Sequence, residues 1–399
     1  MENCLFVSYI MLDEQVNVTF SNDTLPAIQT LKFAKSMLRM LGMSFGNVRT
    51  VGFCPIQDYP KGNKVFFGYN SGFVESFECR TLPFFNLLGL KHISRFINLL
   101  LYCTIFLMKN GNTTVIFHGL HSPYLLVGII LKFFSVKVGV VVTDESSLPI
   151  KEDSKIKSIL KKIDSFIIKI MVSKFDYGLA LSEGLKNKYF KGIGCFVFPG
   201  VVDHDFSLNY IKNNVSLEEC DCLKVFYGGI LSAEYGIDKL IDSMLLIDWP
   251  IQLCCFGKGD QVERLSLLSE SDSRFFYGGF VSQEDLIGAM RNSDILINVR
   301  PSTTRLAKMS FPSKLLEYAS TGKPVLTTKL PSIPHNIADG FFYIDDESVL
   351  GISESIGSIN KVGREVMVNK GNFLRHVVLE NYSDENVSKK FSIFLRNNK

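Results

Sequence analysis

Glycines and cationic residues recur directly after the predicted strands in the second half of the sequence. In chain order they are Gly228-Gly229, Gly257-Lys258-Gly259, Gly278-Gly279 and Arg300. Glycine lets a backbone approach a ligand closely, and Lys and Arg side chains neutralise phosphate. Parallel strands end at one rim of their sheet, and open α/β sheets bind ligands there. The pattern therefore predicts a phosphate-binding site at that rim.

A second cluster of chemically capable residues lies at the start of a predicted helix over residues 312–320. Pro312 suits the first turn of a helix. The backbone amides of Ser313 and Lys314 would then be unpaired donors at the positive end of the helix, which suits a diphosphate. The Lys314 ammonium adds charge, and Glu317, one turn later, could face the same ligand. The alternative is a capped amphipathic helix with a solvated Glu317.

The first half of the sequence offers two histidines and a carboxylate in similar positions. His118 and His121 follow the apolar run 114–117, and Asp144 follows the Val-rich run 137–143. Runs of this kind are typical of strands buried on both faces of a parallel sheet. The three side chains would then lie at the carboxyl rim of the sheet, where they could contact a bound ligand. The alternative is that they form only local hydrogen bonds in loops.

Apolar runs of strand length alternate with amphipathic helical runs through both halves of the sequence. The predicted strands are residues 4–9, 47–53, 65–68, 114–117, 137–143, 177–181, 195–198, 223–227, 251–256, 274–277, 295–299 and 324–328. The predicted helices are residues 26–41, 91–109, 124–134, 155–174, 236–247, 261–268, 283–290, 312–320 and 383–395. This alternation predicts an α/β fold with two parallel sheets and right-handed crossovers, and therefore two Rossmann-like domains.

The domain boundaries follow from the polar stretch between the two halves. We predict a first domain over residues 1–205, a linker over 206–222 and a second domain over 223–378. A C-terminal segment over 379–399 is expected to carry the last helix back onto the first domain.

Composition narrows the class of protein. A chain of 399 residues suits two domains with separate cores, and a net charge of +3 gives no reason to expect nucleic acid as a partner. The nine cysteines lack zinc-ligand spacing and are expected to be reduced thiols. The run 257–262 lacks the third glycine of a dinucleotide fingerprint, which argues against a nicotinamide cofactor.

The same composition bears on membranes. No apolar run free of charge reaches the ~18 residues of a spanning helix. The N-terminal residues lack the positively charged region of a signal peptide. We therefore expect a soluble or peripheral protein.

Two phrases resemble a known family of enzymes. They are FPSKLLEYASTGKPVLTT at residues 311–328 and YGGILSAEYGIDKLI at residues 227–241. The sequence is similar to bacterial members of family 4 of the glycosyltransferases that build capsule, exopolysaccharide or O-antigen. The resemblance implies the GT-B fold, in which two Rossmann-like domains with parallel sheets face each other across a cleft.

The resemblance also implies an activity. It is the transfer of a hexose-type sugar from a nucleotide-diphosphate sugar to a saccharide acceptor that is typically lipid-linked. Transfer would proceed with retention of configuration and without a metal or other cofactor.

The resemblance assigns roles to matching residues. Glu317 matches the second Glu of the E-x7-E motif, which binds the donor ribose, and Gly229 matches a glycine near the diphosphate. Lys314 and Arg300 fall where this subgroup has basic residues near the phosphates. Met309 departs from the motif, because it replaces the first Glu.

Two further positions depart from the family pattern. Ile230 and Tyr235 stand where many members carry an Arg and a Lys, and we expect other cations to replace that pair. The expected catalytic residues are His118, Asp144, Lys314 and Arg300. The expected donor-binding residues are Gly228, Gly229, Gly257, Lys258, Arg305, Met309, Ser313 and Glu317.

Residues 151–174 are rich in lysine with isoleucines interleaved. A basic amphipathic helix suits an anionic membrane surface, so the expected location is the cytoplasm, with peripheral contact at the inner face of the cell membrane. The alternative is an ordinary surface helix with its apolar face in the core.

Two other functions stay open: a nucleotide-sugar epimerase, and a non-catalytic GT-B protein that binds a partner transferase. Met309, Ile230 and Tyr235 motivate the second.

Overall fold

The computed structural model describes residues 3–15, 28–62, 64–145, 154–202 and 222–398. The chain divides into two compact units. Unit 1 comprises Met1–Phe198 and Asp384–Lys399, and unit 2 comprises Pro199–Ser383. By these units the first division of the chain falls after Phe198, and the returning segment begins at Asp384. Apart from Cys222, the predicted linker over residues 206–222 lies outside the described residues.

Unit 1 is a parallel sheet covered by helices. Its strands are β1 (Asn3–Tyr9), β2 (Asn47–Phe53), β3 (Phe66–Phe67), β4 (Asn70–Val74), β5 (Phe77–Thr81), β6 (Phe84–Phe85), β7 (Thr113–His118), β8 (Val138–Val142), β9 (Tyr177–Ala180) and β10 (Gly194–Val197). Its helices are α1 (Ile28–Ser44), α2 (Leu90–Asn110), α3 (Ser122–Lys132), α4 (Lys155–Val172), α5 (Glu183–Tyr189) and α14 (Asp384–Asn397).

The main sheet of unit 1 has the order β10-β9-β8-β7-β1-β2-β5-β4. All neighbouring strands are parallel except β4, which pairs antiparallel with β5. Every residue of β7 and β8 is buried, which explains why their sequences are mostly apolar. The last helix packs against α1, where Arg39 Nε lies 3.0 Å from a carboxylate oxygen of Asp384.

Helix α2 has two distinct faces. One face packs inward and buries Lys91, Arg95, Leu99, Cys103 and Phe106. The other exposes an apolar stripe at helical spacing: Leu90, Ile93, Ile97, Leu101, Ile105 and Met108. By length and composition alone, α2 is the one described helix able to cross a membrane, with 28% of its apolar window buried.

Unit 2 is a second parallel sheet between helices. Its strands are β11 (Leu223–Ile230), β12 (Ile251–Lys258), β13 (Phe275–Tyr277), β14 (Ile295–Asn298), β15 (Val325–Thr328) and β16 (Phe342–Ile344). Its helices are α6 (Ile237–Leu245), α7 (Val262–Ser271), α8 (Gln283–Arg291), α9 (Arg305–Met309), α10 (Lys314–Ser320), α11 (His335–Ala338), α12 (Val349–Val362) and α13 (Arg364–Tyr382). The strand order is β13-β12-β11-β14-β15-β16.

In each unit the chain reverses its path across the sheet at one place. In unit 1 the strands run outward from β1 to β2, and β7 then returns to the other side of β1. In unit 2 they run outward through β12 and β13, and β14 returns to the other side of β11. Open α/β sheets bind ligands at the carboxyl ends of strands beside such a reversal. The β1/β7 and β11/β14 edges are therefore where sites are expected.

The structure differs from the sequence-based prediction in several elements. Several elements were not predicted, because they are short or lack a clean apolar period: strands β4, β5, β6 and β16 and helices α9 and α11 to α13. Helix α10 begins at Lys314, two residues after the predicted start at Pro312. Cys222 forms a disulfide, contrary to the expectation of reduced thiols, whereas the other seven described cysteines are thiols, as expected. Ser182 caps helix α5, since its Oγ accepts from the Leu185 amide at 3.2 Å.

Candidate functional site

The ends of β11 and β12 approach each other more closely than side chains would allow. Gly257 has φ +139°, and a Cβ built on it would lie 1.8 Å from the carbonyl oxygen of Gly229. Gly229 itself has φ +138°, a conformation that favours glycine. These glycines lie inside the strands, because β11 extends to Ile230 and β12 to Lys258. The sequence had placed them just beyond the strand ends.

Tyr318 fixes the end of β11 from helix α10. Its hydroxyl accepts from the Gly228 amide at 2.9 Å and donates to the Gly228 carbonyl at 3.2 Å. Pairing of β11 with β14 involves only Val225 and Phe226, so Gly228 lies beyond that ladder. The tyrosine hydroxyl thus satisfies a buried backbone donor and acceptor at the rim. This contact had no signal in the sequence beyond the aromatic residue itself.

Lys314, at the start of α10, points toward the same rim. Its Nζ lies 3.8 Å from the centroid of the Tyr227 ring, and a Cβ on Gly229 would be 3.9 Å from that nitrogen. Burial lowers the pKa of the Lys314 ammonium well below its usual range, and the positive charge of Arg300 lowers it further. Glu317 acts in the opposite direction. A ligand anion would stabilise this desolvated cation.

Arg300 follows β14, as predicted, and is almost fully buried. Its NH1 donates to the Ser310 carbonyl at 3.2 Å, and its guanidinium carbon lies 5.2 Å from the centroid of the Tyr235 ring. The carbonyl of Arg300 accepts from the Thr328 hydroxyl at 2.6 Å. The side chain is therefore held from several directions beside Lys314, whose pKa it lowers.

The other predicted donor-binding residues are more dispersed. Glu317 lies partly buried on α10, and Ser313 lies exposed just before that helix. Lys258 is exposed, with Nζ 4.6 Å from the centroid of the Phe280 ring. Arg305 and Met309 bound the short helix α9, the first exposed and the second partly buried. The structure therefore brings together the glycines, Lys314 and Arg300, and it exposes the side chains of Lys258 and Arg305 to solvent.

Unit 1 contains a cavity of about 500 Å³ at the carboxyl rim of its sheet. Its lining residues are Tyr9, Thr30, Pro55, Ile56, Gln57, Lys91, Arg95, His118, Gly119, Leu120, His121, Thr143, Asp144 and Glu145. They come from the ends of β1, β7 and β8, from the segment after β2, and from helices α1 and α2. The predicted residues His118, His121 and Asp144 therefore share one cavity at the β1/β7 reversal.

The two histidines are neutral at pH 7. Burial lowers the pKa of His118 to about 4, and its Nδ1 is 2.8 Å from the hydroxyl of Ser8. Burial likewise lowers the pKa of His121 to about 3, with a further contribution from nearby cations. The His121 ring packs edge-on against Tyr9 at 4.4 Å between centroids. Neutral imidazoles can donate to or accept from sugar hydroxyls.

Two cations of this cavity were missed by the sequence analysis. Lys91 and Arg95 lie on the buried face of α2, which reads in the sequence only as an apolar helix. Lys91 Nζ donates to the Ile56 carbonyl at 3.0 Å and pairs with the Asp58 carboxylate. Arg95 donates to the Tyr9 hydroxyl at 2.9 Å. The signal in the sequence was the presence of charged residues within an otherwise apolar helix. Such residues are rarely buried unless they have a partner, so they could have indicated a site.

The acidic residues at this rim differ in exposure. Asp144 is exposed at the end of β8, whereas Glu145 is mostly buried and paired with Lys188. Within the described part of the chain, no group of three or more His, Cys, Asp or Glu side chains could hold a metal ion.

Residues 223–358 match the family model described as Glycosyl transferases group 1. The matched segment lies within unit 2 and contains the glycines, Arg300 and Lys314. No curated protein sequence matches the chain.

Solved glycosyltransferase structures share the fold over the whole chain. Sucrose-phosphate synthase from Thermosynechococcus elongatus is 12% identical, with a TM-score of 0.67 over 100% of this chain and 99% of its own. HepE of Anabaena in complex with UDP is 12% identical, with a TM-score of 0.66 over 100% of both chains. The lipopolysaccharide outer core galactosyltransferase WaaB is 16% identical, with a TM-score of 0.61 over 100% of both. The predicted α/β GT-B fold with two parallel-sheet domains is confirmed.

Proposed function

We propose that this protein is a retaining GT-B glycosyltransferase. It moves a hexose-type sugar from a nucleoside diphosphate to a saccharide acceptor in the synthesis of a bacterial surface polysaccharide. The observation that carries the proposal is the cluster of Gly229, Lys314 and Arg300 at the β11/β14 reversal. That cluster lies inside the segment matching the group 1 family. HepE, one of the structural neighbours, was solved with UDP.

In this proposal the donor diphosphate lies between Gly229 and the two cations. Because Gly229 has no side chain, the diphosphate can approach the backbone there closely. No side chain at residue 229 then separates the diphosphate from the charges of Lys314 and Arg300. Glu317 accepts from the ribose hydroxyls. Charge builds on the leaving diphosphate during transfer, so cations already in place lower the barrier without rearranging.

The position of Arg300 explains how the family's missing cations are replaced. Tyr235 stands where many members of the resembled family carry a Lys, and the guanidinium of Arg300 lies over its ring at 5.2 Å. The charge is thus supplied from the end of β14 instead of from the loop after β11. Because Met309 replaces the first Glu of the motif, Glu317 is the one carboxylate of that motif that binds the ribose in this proposal.

The acceptor belongs to the cavity of unit 1. The neutral imidazoles of His118 and His121 and the carboxylate of Asp144 offer hydrogen-bond partners for sugar hydroxyls. HepE was also solved with UDP and glucose, and WaaB is named for lipopolysaccharide. Retention, independence from metals and cofactors, and a lipid-linked acceptor are parts of the proposal that rest on the family resemblance.

A lipid-linked acceptor requires contact with a membrane, and three adjacent helices of unit 1 suit one. Helix α3 packs between α2 and α4. Helix α4 exposes an apolar set: Ile156, Ile159, Leu160, Ile163, Phe166, Ile167 and Ile170. The sequences of the three helices contain one acidic residue, Asp164, which accepts from Ser122 at 3.0 Å.

The cations around this surface match an anionic bilayer. Lys109, Lys155, Lys162, Lys169 and Lys174 are exposed on or beside α2 and α4. Apolar insertion and attraction of lysines to anionic lipid reinforce each other. We therefore propose peripheral binding to the cytoplasmic face of the membrane through α2, α3 and α4. Lys151 and the side chain of Lys157 lie outside the described residues.

Vesicle sedimentation tests this surface. The protein should pellet with vesicles of phosphatidylglycerol and phosphatidylcholine, and much less with phosphatidylcholine alone. Leu101→Asp should release it, because Leu101 is 56% exposed in the middle of the stripe. Leu267→Asp, on a comparably exposed residue of unit 2, is the control and should bind as the wild type does. Equal pelleting of both variants would reject the surface.

Nucleotide binding tests the proposed activity. Thermal shifts with UDP, GDP, ADP, TDP and CMP should show one clear responder, since a ligand at 100 times its dissociation constant adds about 2.7 kcal/mol of stability. Glu317→Ala should reduce that shift, whereas Glu354→Ala, an exposed Glu on α12, should not. A shift without turnover of any donor would favour the non-catalytic partner, and no shift at all would remove the donor site.

A further inference from the structure

The cavity of unit 1 contains a buried guanidinium that no acid neutralises directly. Arg95 is 4% exposed. Its NH1 donates to the Tyr9 hydroxyl at 2.9 Å and its NH2 to the Cys54 carbonyl at 3.4 Å. Its Nε is buried without a hydrogen-bond partner. Among the residues that the structure describes, no carboxylate lies within ion-pair distance of it.

Aromatic rings surround this charge on the protein side. The guanidinium carbon lies 4.2 Å from the centroid of Phe84, 4.9 Å from that of Tyr9 and 5.5 Å from that of Phe53. These rings attract a cation but do not replace its hydration. A buried charge without a partner is costly. A bound anion would supply the missing partner of the Arg95 charge.

The cations around and including Arg95 outnumber the nearby carboxylates by one in the cavity of unit 1. Asp58 is the acid whose pKa Arg95 helps to lower, but that carboxylate is already bonded to Lys91. Glu145, on the opposite rim, is paired with Lys188. Asp144 lines the same cavity but is exposed to solvent at the end of β8. Two cations, Lys91 and Arg95, therefore line the cavity and share the single carboxylate of Asp58, so this part of the cavity has a net positive charge.

We infer that this cavity binds an oxyanion, a phosphate or a carboxylate carried by the acceptor, through Arg95. A guanidinium has five N–H donors in a planar fork, and two of its nitrogens make the bonds to protein described above. A cavity of about 500 Å³ has room for a sugar bearing such a group. His121 and His118, which line the same cavity, are placed to meet the uncharged hydroxyls.

The inference rests on the proposed function in one respect, namely that the ligand of unit 1 is the acceptor. The anion site itself depends only on unit 1, whereas the donor site lies in unit 2. The two can therefore be tested separately in the full chain.

Isothermal titration of the full-length protein with inorganic phosphate, acetate and glucose tests the site. UDP is present at high concentration to occupy the donor site, and sodium chloride matches the ionic strength. Phosphate or acetate should bind the wild type, and glucose should bind at least tenfold more weakly. Arg95→Met should lose at least tenfold in affinity for the anion, and Arg95→Lys should lose less, since it keeps the charge but not the fork.

Arg80→Met is the matched control, because Arg80 lies on β5 over the Tyr102 ring and outside the cavity. It should bind the anion as the wild type does. Should Arg95→Met not fold, the comparison of Arg95→Lys with Arg80→Met decides. Absence of anion binding to the wild type, or equal binding by the Arg95 variants, overturns the inference. Loss of UDP binding by every protein would instead count against the donor site in unit 2.

Discussion

Removal of one hydroxyl should loosen the donor site of unit 2. In Tyr318→Phe, the amide and the carbonyl of Gly228 both lose their partner, with bonds of 2.9 and 3.2 Å. Burial raises the pKa of Tyr318 well above its usual range, so the hydroxyl is protonated and donates at any working pH. The ring itself is retained, including its edge-on contact with Phe226 at 5.8 Å, so no cavity of any size forms.

The magnitude follows from what is left unpaired. A buried polar group without a partner costs about 1–3 kcal/mol, and removing the hydroxyl also removes its own desolvation cost. We expect a net loss of about 2 kcal/mol, which corresponds to about 4–8 °C in the Tm of a domain of this size. Because Gly228 precedes Gly229, affinity for the nucleoside diphosphate should also fall.

Urea unfolding and nucleotide titration of the same variant provide the assay. Tyr343→Phe is the control, because its hydroxyl donates once, to the Ala338 carbonyl at 2.8 Å, and lies on β16. It should lose about 1 kcal/mol and bind nucleotide normally. If Tyr318→Phe is no less stable than Tyr343→Phe and binds nucleotide as tightly, the role given to Tyr318 is wrong.

Two further predictions concern the backbone of unit 2 and the histidines of unit 1. Gly257→Ala should cost about 3 kcal/mol and abolish nucleotide binding, because its Cβ would meet the Gly229 carbonyl at 1.8 Å. Gly279→Ala, with positive φ but open space, should cost about 1 kcal/mol, and equal losses in urea unfolding would contradict the contact. His118, with a pKa of about 4 in the fold, takes up its proton more readily when unfolded. Stability should therefore fall below pH 6.5, by about 2 kcal/mol at pH 5. His118→Asn should remove that part of the pH dependence, and an unchanged slope would show that the imidazole is not desolvated.

The sequence predicted the parts of the fold that depend on local pattern. The mostly apolar runs over residues 114–117 and 137–143 predicted strands β7 and β8, and the structure has both. Arg300 was predicted at the rim because it follows a strand, and Lys314 was predicted near a diphosphate because it lies at the start of a helix. The short strands β3 to β6 were mostly missed because two-residue to five-residue pairings lack a readable period.

The rest depended on contacts between residues distant in sequence. Arg95 reaches Tyr9 across 86 positions, and Tyr318 reaches Gly228 across 90. Neither pairing has a spacing rule, so neither could be predicted from one sequence. The strand extension to Ile230 follows from pairing with β12 up to Lys258, whereas glycines in a sequence normally suggest that a strand has ended.

The measurement that tests the donor site most directly is titration of wild type and Lys314→Met with UDP, GDP, ADP and TDP. Methionine keeps the length of the side chain and removes the ammonium group. Because burial lowers the pKa of that ammonium, its charge costs stability, and the free energy of unfolding of the variant should be unchanged or higher. We expect at least one nucleotide to bind the wild type and to bind the variant at least tenfold more weakly. Equal affinities, or no binding of any of the four to the wild type, would contradict a donor diphosphate at Lys314.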